Sequence, residues 1–190
     1  MKSDEITLHR GLQGVYFDRS ATTFIDGKQG VLEYRGYNIH DLAEYSTFEE
    51  TAYLLIHGNL PTQAQLDESD SELKGARELP EKVFDVIDLV KDSHPMDVLR
   101  TAVSALASFD PEREDNSPEA TIHKGNRLTS QVPGIVMAHH AIRRGKDPVQ
   151  PSSTLSHAAN FLYLLFGEEP DPCLLYTSPS PRDATLSRMP

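Results

Sequence analysis

Apolar and polar side chains alternate on both sides of the Asp26-Gly27 pair, and Gly30 closes the loop between the two alternating runs. Such alternation around a short turn that contains glycine is typical of two short strands joined by a tight connection. The sequence therefore predicts a small β-hairpin near the start of the chain.

Two helices are predicted directly after the hairpin. Asn38 stands at the N-cap of a short helix, in which apolar residues recur at helical spacing. Ser46 and Glu49 form an S-x-x-E capping box, in which a hydroxyl and a carboxylate satisfy backbone amides at the start of a second helix. Gly58 and Pro61 end that helix. Its predicted apolar stripe consists of Phe48, Ala52, Leu55 and Ile56.

Three amphipathic helices are predicted in the middle of the chain. Thr62 and Gln65 form a capping box that opens the first, Pro80 takes the first helical position of the second, and Pro95 opens the third. The predicted buried faces are Leu66 and Leu73 in the first helix, Val83, Val86, Ile87 and Val90 in the second, and Met96, Leu99, Val103 and Leu106 in the third.

A long helical pattern runs from the cap residue Ser117 to about Arg144, with Pro133 in its interior. Proline lacks a backbone N–H, and its ring clashes with the carbonyl group four residues earlier. A kink or a break is therefore expected near Ser130.

A last helix is expected to be capped by Ser152 or Ser153 and to end at Gly167. Its predicted buried face consists of Leu155, Ala159, Leu162 and Phe166. Many amphipathic helices with one hairpin and no internal repeat indicate a mainly α fold.

Composition narrows the class of protein. The chain has 190 residues, enough for one domain or part of one, and a net charge of −11, which disfavours nucleic acid and anionic membranes as partners. No apolar run reaches the roughly 20 residues of a membrane span, and the polar amino terminus does not read as a secretory signal. The single cysteine excludes an internal disulfide and fits a reducing compartment, so a cytoplasmic location is expected.

Residues 26–62 resemble the amino-terminal signature of the citrate synthase family. They contain D-G-x-x-G-x-L-x-Y-R-G-Y-x-I-x-x-L-A followed by F-E-E-x-A-Y-L-L-x-x-G-x-L-P-T. Two later strings, H-P-M-D-V-L-R-T-A-V-S-A-L and S-H-A-A-N-F-L-Y-L-L-F-G-E-E-P-D-P, are similar to the same family. The resemblance implies that residues 1–172 are the amino-terminal part of the large, multi-helical domain of a short bacterial citrate synthase, with a small N-terminal β-hairpin.

The reaction of the citrate synthase family is expected of the full-length protein and not of this chain. Citrate synthases condense acetyl-CoA with oxaloacetate and water to citrate and CoA, using a carboxylate base, two histidines and carboxylate-binding arginines. The family carries these groups in a carboxy-terminal half, in motifs such as H-G-G and G-H-R, and neither motif occurs here. No catalytic, cofactor-binding or metal-binding residue is therefore transferred to this chain, no cofactor or metal is expected, and the chain alone is predicted to be inactive.

Two alternative functions stay open. A 2-methylcitrate synthase would use propionyl-CoA in place of acetyl-CoA, and the pocket that separates the two substrates is not expected in this half. A non-catalytic helical interaction module built on the same fold is the other alternative. The resemblance further implies a homo-oligomer, dimeric or hexameric.

The last residues differ in character from the rest. Residues 173–190, beginning at Cys173, show neither helical nor strand periodicity and are rich in serine, proline and arginine. They resemble a translated adapter or vector sequence. The prediction is that this tail is disordered and not native to the protein.

Several histidines are candidates for site residues. His139 and His140 are adjacent on a predicted helix, about 100° apart around its axis, and so are poorly placed to chelate one metal. His94 and His157 are expected to cap helices or to form hydrogen bonds in the core. His57 lies near a helix C-terminus, where it complements the dipole.

Other polar groups have structural explanations as well. The run of Asp67, Glu68, Asp70 and Glu72 is expected to be a solvated helix face, and Glu49-Glu50 to serve capping. Arg143, Arg144 and Lys146 suit a helix end, with the binding of an anionic cofactor as a weaker alternative. The glycines Gly27, Gly30 and Gly36 are expected in turns, because their spacing does not fit a phosphate-binding loop. Cys173 could be a nucleophile in principle but opens the tail.

Overall fold

The structure is a computed structural model that describes residues 18–171 together with Gly11, Gly14, Val15, Leu174 and Leu175. The strands are β1 (Thr23–Asp26), β2 (Val31–Tyr34) and β3 (Tyr37–Asn38). The helices are α1 (Ile39–Tyr45), α2 (Phe48–His57), α3 (Gln63–Gly75), α4 (Glu81–Val90), α5 (Pro95–Leu106), α6 (Pro118–Ile142) and α7 (His157–Phe166). The predicted mainly α fold with a small β element is confirmed.

The predicted hairpin is present, and a third strand extends it. Strands β1 and β2 pair antiparallel, and the Asp26 carboxylate accepts hydrogen bonds from the N–H groups of Lys28 and Gln29 in the turn. Strand β3, which the sequence did not predict, pairs with β2. The turn between them is Arg35-Gly36, and both residues have positive φ, as a two-residue hairpin turn of type I′ requires.

The start of α2 lies one residue later than predicted. Asn38 caps α1 as expected, since its side chain accepts from the N–H of His40 at 2.9 Å. In α2, however, the capping box joins Thr47 and Glu50, with distances of 3.2 Å and 2.8 Å for its two hydrogen bonds. The predicted partner Ser46 instead donates its hydroxyl to the Glu50 carboxylate.

The predicted apolar stripe of α2 is also displaced. The fully buried side chain of this helix is Leu54, whereas Phe48 and Ile56 are partly exposed. Helix α2 contacts α3 and α7, so these long-range contacts, and not the local pattern, decide which face is buried. Gly58 ends the helix in a left-handed conformation, as predicted.

Helices α4, α5 and α6 enclose the main core. Its buried members are Leu79, Val83, Ile87, Val98, Ala102, Leu106, Ile135 and Ala138. Fully burying one aliphatic side chain of this kind stabilises the fold by about 1.5–3 kcal/mol. This cluster is therefore a major source of stability in the described part of the chain. The stripe predicted for α4 is confirmed by Val83 and Ile87, although Pro80 is the N-cap and not the first helical residue.

The buried face predicted for α5 is confirmed in part. Leu106 is buried, and Leu99 and Val103 are partly buried and pack against the core, whereas Met96 is 62% exposed. The other buried positions are Val98 and the small Ala102, which lets neighbouring helices approach closely.

Helix α6 continues through Pro133, so a break is absent, and the alternative of a kink stays a prediction. Residues on both sides of the proline, among them Ser130 and Ile135, are buried against neighbouring helices. Tertiary packing therefore holds the helix where the local sequence disfavours it. The Ser130 hydroxyl is buried and has no hydrogen-bond partner among the described residues.

Helix α7 begins later than predicted. Its N-cap is Ser156, which accepts from the N–H of Ala159, whereas the hydroxyl of Ser152 closes a turn that precedes the helix. The buried positions of α7 are Ala159, Asn160 and Leu164, and Phe166 is exposed. Gly167 ends the helix as predicted, in a left-handed conformation.

Two further predictions concern the last residues of the chain and the absence of a membrane span. The predicted boundary between residues 172 and 173, including Cys173, lies outside the described residues, so the non-native tail stays a prediction. Within the described part of the chain, none of the helices combines the length and the hydropathy that a membrane span needs.

Candidate functional site

The first turns of α2 and α7 meet at a polar junction. The Glu49 carboxylate accepts a hydrogen bond of 2.7 Å from the backbone N–H of His157, the first residue of α7. The rings of Phe48 and His157 stack in parallel, with centroids 4.2 Å apart and planes 9° apart. A carboxylate at a helix N-terminus is stabilised by the helix dipole, so Glu49 caps α7 from a distant part of the sequence.

A buried arginine holds the chain segment that leads into α7. Arg77 is 3% exposed, and its Nη1 donates to the carbonyl oxygens of Ser152 at 2.7 Å and Leu155 at 2.8 Å. The amide oxygen of Asn160 accepts from the N–H of Ser152 at 2.8 Å. Residues 152–155 are therefore fixed from both sides, which sets the direction in which α7 begins.

The electrostatics of this junction favour a neutral histidine. Burial lowers the pKa of His157, the nearby Arg77 charge lowers it further, and the Glu49 charge opposes both effects. Burial also lowers the pKa of Arg77, against the charges of Asp70 and Glu49. His157 thus contributes its backbone N–H and a stacked ring to the junction, and not the helix cap or core hydrogen bond that the sequence predicted.

A second polar cluster borders a cleft of about 240 Å³ between α5 and α6. Its apolar floor includes Val103, Leu106 and Leu128, and residues 110–117 supply part of its wall. Arg127 lies at the rim and contacts two carboxylates of that segment. Its Nη2 lies 2.8 Å from Asp110 Oδ1, and its Nη1 lies 2.8 Å from Glu112 Oε2.

His123 and Lys124 extend the cluster along α6. His123 Nδ1 lies 3.1 Å from Glu112 Oε1, and Lys124 donates to the carbonyl oxygen of Asp115. The hydrogen bond with Glu112 raises the pKa of His123, and hydrogen bonds from His123 and Arg127 lower the pKa of Glu112. Burial alone would raise the pKa of Asp110, but hydrogen bonds from the Glu112 N–H and from Arg127 outweigh burial and lower it.

The adjacent histidines of α6 have separate surroundings. His139 is 6% exposed, and its Nε2 donates to the carbonyl oxygen of Lys91 at 2.9 Å. Burial lowers the pKa of His140, and the charges of Arg144 and Arg143 lower it further. Across the described residues, no group of three or more histidine, cysteine, aspartate or glutamate side chains could hold a metal ion.

The other histidines weighed from the sequence serve the helices on which they lie. His94 Nδ1 accepts from the N–H of Met96 at 3.2 Å and caps α5, which confirms the capping prediction. His57 lies in the last turn of α2, as predicted, and its ring stacks on Tyr53 with centroids 4.1 Å apart.

The acidic run on α3 does not converge on one point. Asp67 accepts from Gln63, Asp70 pairs with Lys74 at 2.5 Å, and Glu72 accepts from Asn126 of α6. Arg143, Arg144 and Lys146 are exposed beyond the C-terminus of α6, and Gly27, Gly30 and Gly36 lie in the two hairpin turns.

Two arginines at the centres of these clusters were missed in the sequence. Arg77 lies in a connection between helices, and no local pattern marks it for burial. Arg127 does have a signal, because it stands four residues after His123 on a helix that follows an acidic loop. That spacing places both side chains on one helix face, where the loop's carboxylates can reach them.

The comparisons with known proteins agree on one family. The family model described as "Citrate synthase, C-terminal domain" matches residues 11–177. The citrate synthase of Haloferax volcanii is 45% identical over 175 residues, which is 90% of this chain and 46% of that protein. The citrate synthase of Deinococcus radiodurans is 44% identical over 164 residues, 86% of this chain and 44% of that protein.

Solved structures support the same relationship at the level of the fold. The citrate synthase from Pyrobaculum aerophilum matches with a TM-score of 0.84 at 36% identity, over 87% of this chain and 44% of that one. The citrate synthase from Thermotoga maritima matches with a TM-score of 0.73 at 36% identity, over 87% and 43%. The chain thus spans less than half the length of these relatives, and on sequence and fold together it belongs to the citrate synthase family.

Proposed function

We propose that the protein to which these residues belong condenses acetyl-CoA with oxaloacetate and water, giving citrate and CoA. The observation that carries the proposal is the 45% identity to the Haloferax volcanii citrate synthase across 90% of this chain.

Within that enzyme, the described residues supply framework and not chemistry. Three histidines make contacts that stabilise the fold. His139 donates to a carbonyl group, His94 caps a helix and the ring of His157 stacks on Phe48. A proton-transfer catalyst needs a free group directed at the substrate. We therefore propose that the 190-residue chain alone does not turn over.

We also propose that the protein is a cytoplasmic homo-oligomer. Large apolar side chains are exposed on several elements, among them Leu89 at 84%, Ile25 at 70% and Met96. Exposed apolar area of this kind is typical of surfaces that associate. The single cysteine and the acidic net charge are consistent with a reducing, cytoplasmic environment.

A chimera tests the proposal. Residues 11–171 would replace the matched segment of the Haloferax volcanii enzyme, and the release of the CoA thiol would be followed with acetyl-CoA and oxaloacetate. The control is the Haloferax volcanii enzyme with its own segment, prepared by the same cloning steps. We expect oxaloacetate-dependent CoA release by the chimera and none by the 190-residue chain.

Other results would change the assignment. Faster turnover of propionyl-CoA than of acetyl-CoA by the chimera, but not by the control, would favour 2-methylcitrate synthesis. A folded chimera without turnover of either acyl-CoA would favour a non-catalytic module.

A further inference from the structure

Residues 110–117, here called the strap, lie between the short 3-10 helix Ala107–Phe109, which follows α5, and α6, and they border the apolar cleft. Asp110, Pro111 and Arg113 of the strap line the cleft together with Lys124 and Arg127 of α6. A change in the position of the strap would therefore change access to the apolar floor of the cleft.

Side chains of α6 tie the strap down. The Glu112 carboxylate is the centre of the attachment, because Oε1 lies 3.1 Å from His123 and Oε2 lies 2.8 Å from Arg127. Arg127 also binds both carboxylate oxygens of Asp110, and Lys124 binds the carbonyl oxygen of Asp115. The strap thus rests on three cationic or potentially cationic groups of one helix.

We propose that the strap is a pH-sensitive closure of this cleft, held more tightly when His123 is charged and more loosely when it is neutral. Glu112 and Arg127 form the fixed part of the attachment, and His123 is the part that changes charge near neutral pH. The proposal goes beyond the proposed function and does not depend on it.

Three carboxylates surround His123, and the cationic side chains of Lys124 and Arg127 lie in the same cluster. His123 faces Glu112 of the strap, Glu72 of α3 and Glu119 of its own helix. Across a small cavity that it shares with α2 and α3 lie His57 and Glu68. The surrounding carboxylates favour the charged imidazole, against the opposing effect of burial.

The sign of the pH dependence follows from the direction of the shift. Because the pKa of His123 is raised above 6.5, its contribution is fully present below 6.5 and is lost as the pH rises through the folded-state pKa. The pKa of Glu112 is lowered from 4.5, so that carboxylate stays charged over the same interval. The strap should therefore loosen as the pH rises above 6.5.

Hydrogen exchange can measure this directly, since four strap amides are hydrogen-bonded. The N–H groups of Glu112, Arg113, Asp115 and Ser117 donate within the strap. Exchange of the full chain would be followed at pH 6.0 and pH 8.0, and rates would be divided by the intrinsic rates at each pH. Protection of these amides should fall about 2- to 5-fold, the size of effect expected of a partly exposed ion pair.

Two variants separate His123 from other groups. His123→Gln retains a hydrogen-bond donor but cannot titrate, so the protection of the strap should be equal at the two pH values. His140→Gln, on the same helix but away from the strap, should retain the wild-type difference. Equal protection in the wild-type chain at both pH values would overturn the proposal, as would a pH difference that persists in His123→Gln. The wild-type measurement decides even if a variant does not fold.

Discussion

The carboxylate of Glu49 lies 2.7 Å from the backbone nitrogen of His157 and caps a helix that begins 108 residues later in the chain. Both residues belong to segments that resemble the family's sequence, F-E-E in α2 and S-H-A-A-N-F in α7. The contact gives those segments a common physical role. It joins the helix that follows the hairpin to the last described helix.

Replacement of Glu49 should destabilise the fold. In Glu49→Ala the His157 N–H loses its acceptor and the α7 dipole loses a neighbouring negative charge, which should cost about 1–2 kcal/mol in the free energy of unfolding. Glu49→Gln retains an acceptor and should cost less. Urea denaturation measures both values, with Glu68→Ala on the exposed face of α3 as the control. Equal effects of Glu49→Ala and Glu68→Ala would contradict the capping role.

Arg77 should contribute more than Glu49 to the free energy of unfolding, because it is buried and donates hydrogen bonds to two carbonyl groups. In Arg77→Met the carbonyl groups of Ser152 and Leu155 lose their donor, and we expect a loss of about 2–3 kcal/mol, the range for hydrogen bonds to a charged group. Arg100→Met, on an exposed helix surface, should change stability by less than about 0.5 kcal/mol. A neutral effect of Arg77→Met would show that the segment before α7 is held by other contacts.

The start of α2 offers a test of register. Because Thr47 is the N-cap, Thr47→Ala should cost about 1 kcal/mol of stability. Ser46→Ala removes contacts of its hydroxyl with Glu50, Thr51 and the Thr47 carbonyl group but leaves the N-cap intact, so it should cost less. The same thermal or urea denaturation experiment compares the two variants. The reverse order would restore the Ser46–Glu49 box that the sequence predicts.

Stability should rise with pH through the range in which His157 titrates. Its pKa is lowered from 6.5 in the folded state, so below 6.5 the unfolded chain binds more protons and the folded state loses stability. His157→Phe preserves a ring against Phe48 and the backbone N–H for Glu49 but cannot titrate. Urea midpoints between pH 5.0 and pH 7.0 should therefore depend less on pH in this variant. His40→Phe, at an exposed ring, is the control and should leave the dependence unchanged.

Features that depend on neighbouring residues were predicted better from the sequence than features that depend on long-range contacts. Several caps followed from short patterns: Asn38, Thr62, His94 and Gly58 act as predicted because their partners lie within four residues. The N-caps of α2 and α7 lie at other residues than predicted. Buried faces were less predictable. In α5 the exposure of Met96 depends on how α4 and α6 pack against the helix, which the local pattern does not contain.

The polar junctions could not be predicted from the sequence for the same reason. Glu49 could be assigned to capping from its position, but the helix that it caps is distant in sequence. Arg77 and Arg127 acquire their partners through tertiary folding, and only Arg127 had a helical spacing that could have indicated one. Helix α6 also shows that packing on both sides of Pro133 can hold a helix against its local preference.

The central claim is that these residues form the framework of a citrate synthase, and the rate of CoA release by the chimera tests it most directly. The rate would be measured with acetyl-CoA, with and without oxaloacetate, beside the 190-residue chain alone. The account predicts oxaloacetate-dependent release by the chimera and none by the isolated chain. Turnover by the isolated chain, or a folded chimera that releases no CoA, would contradict it.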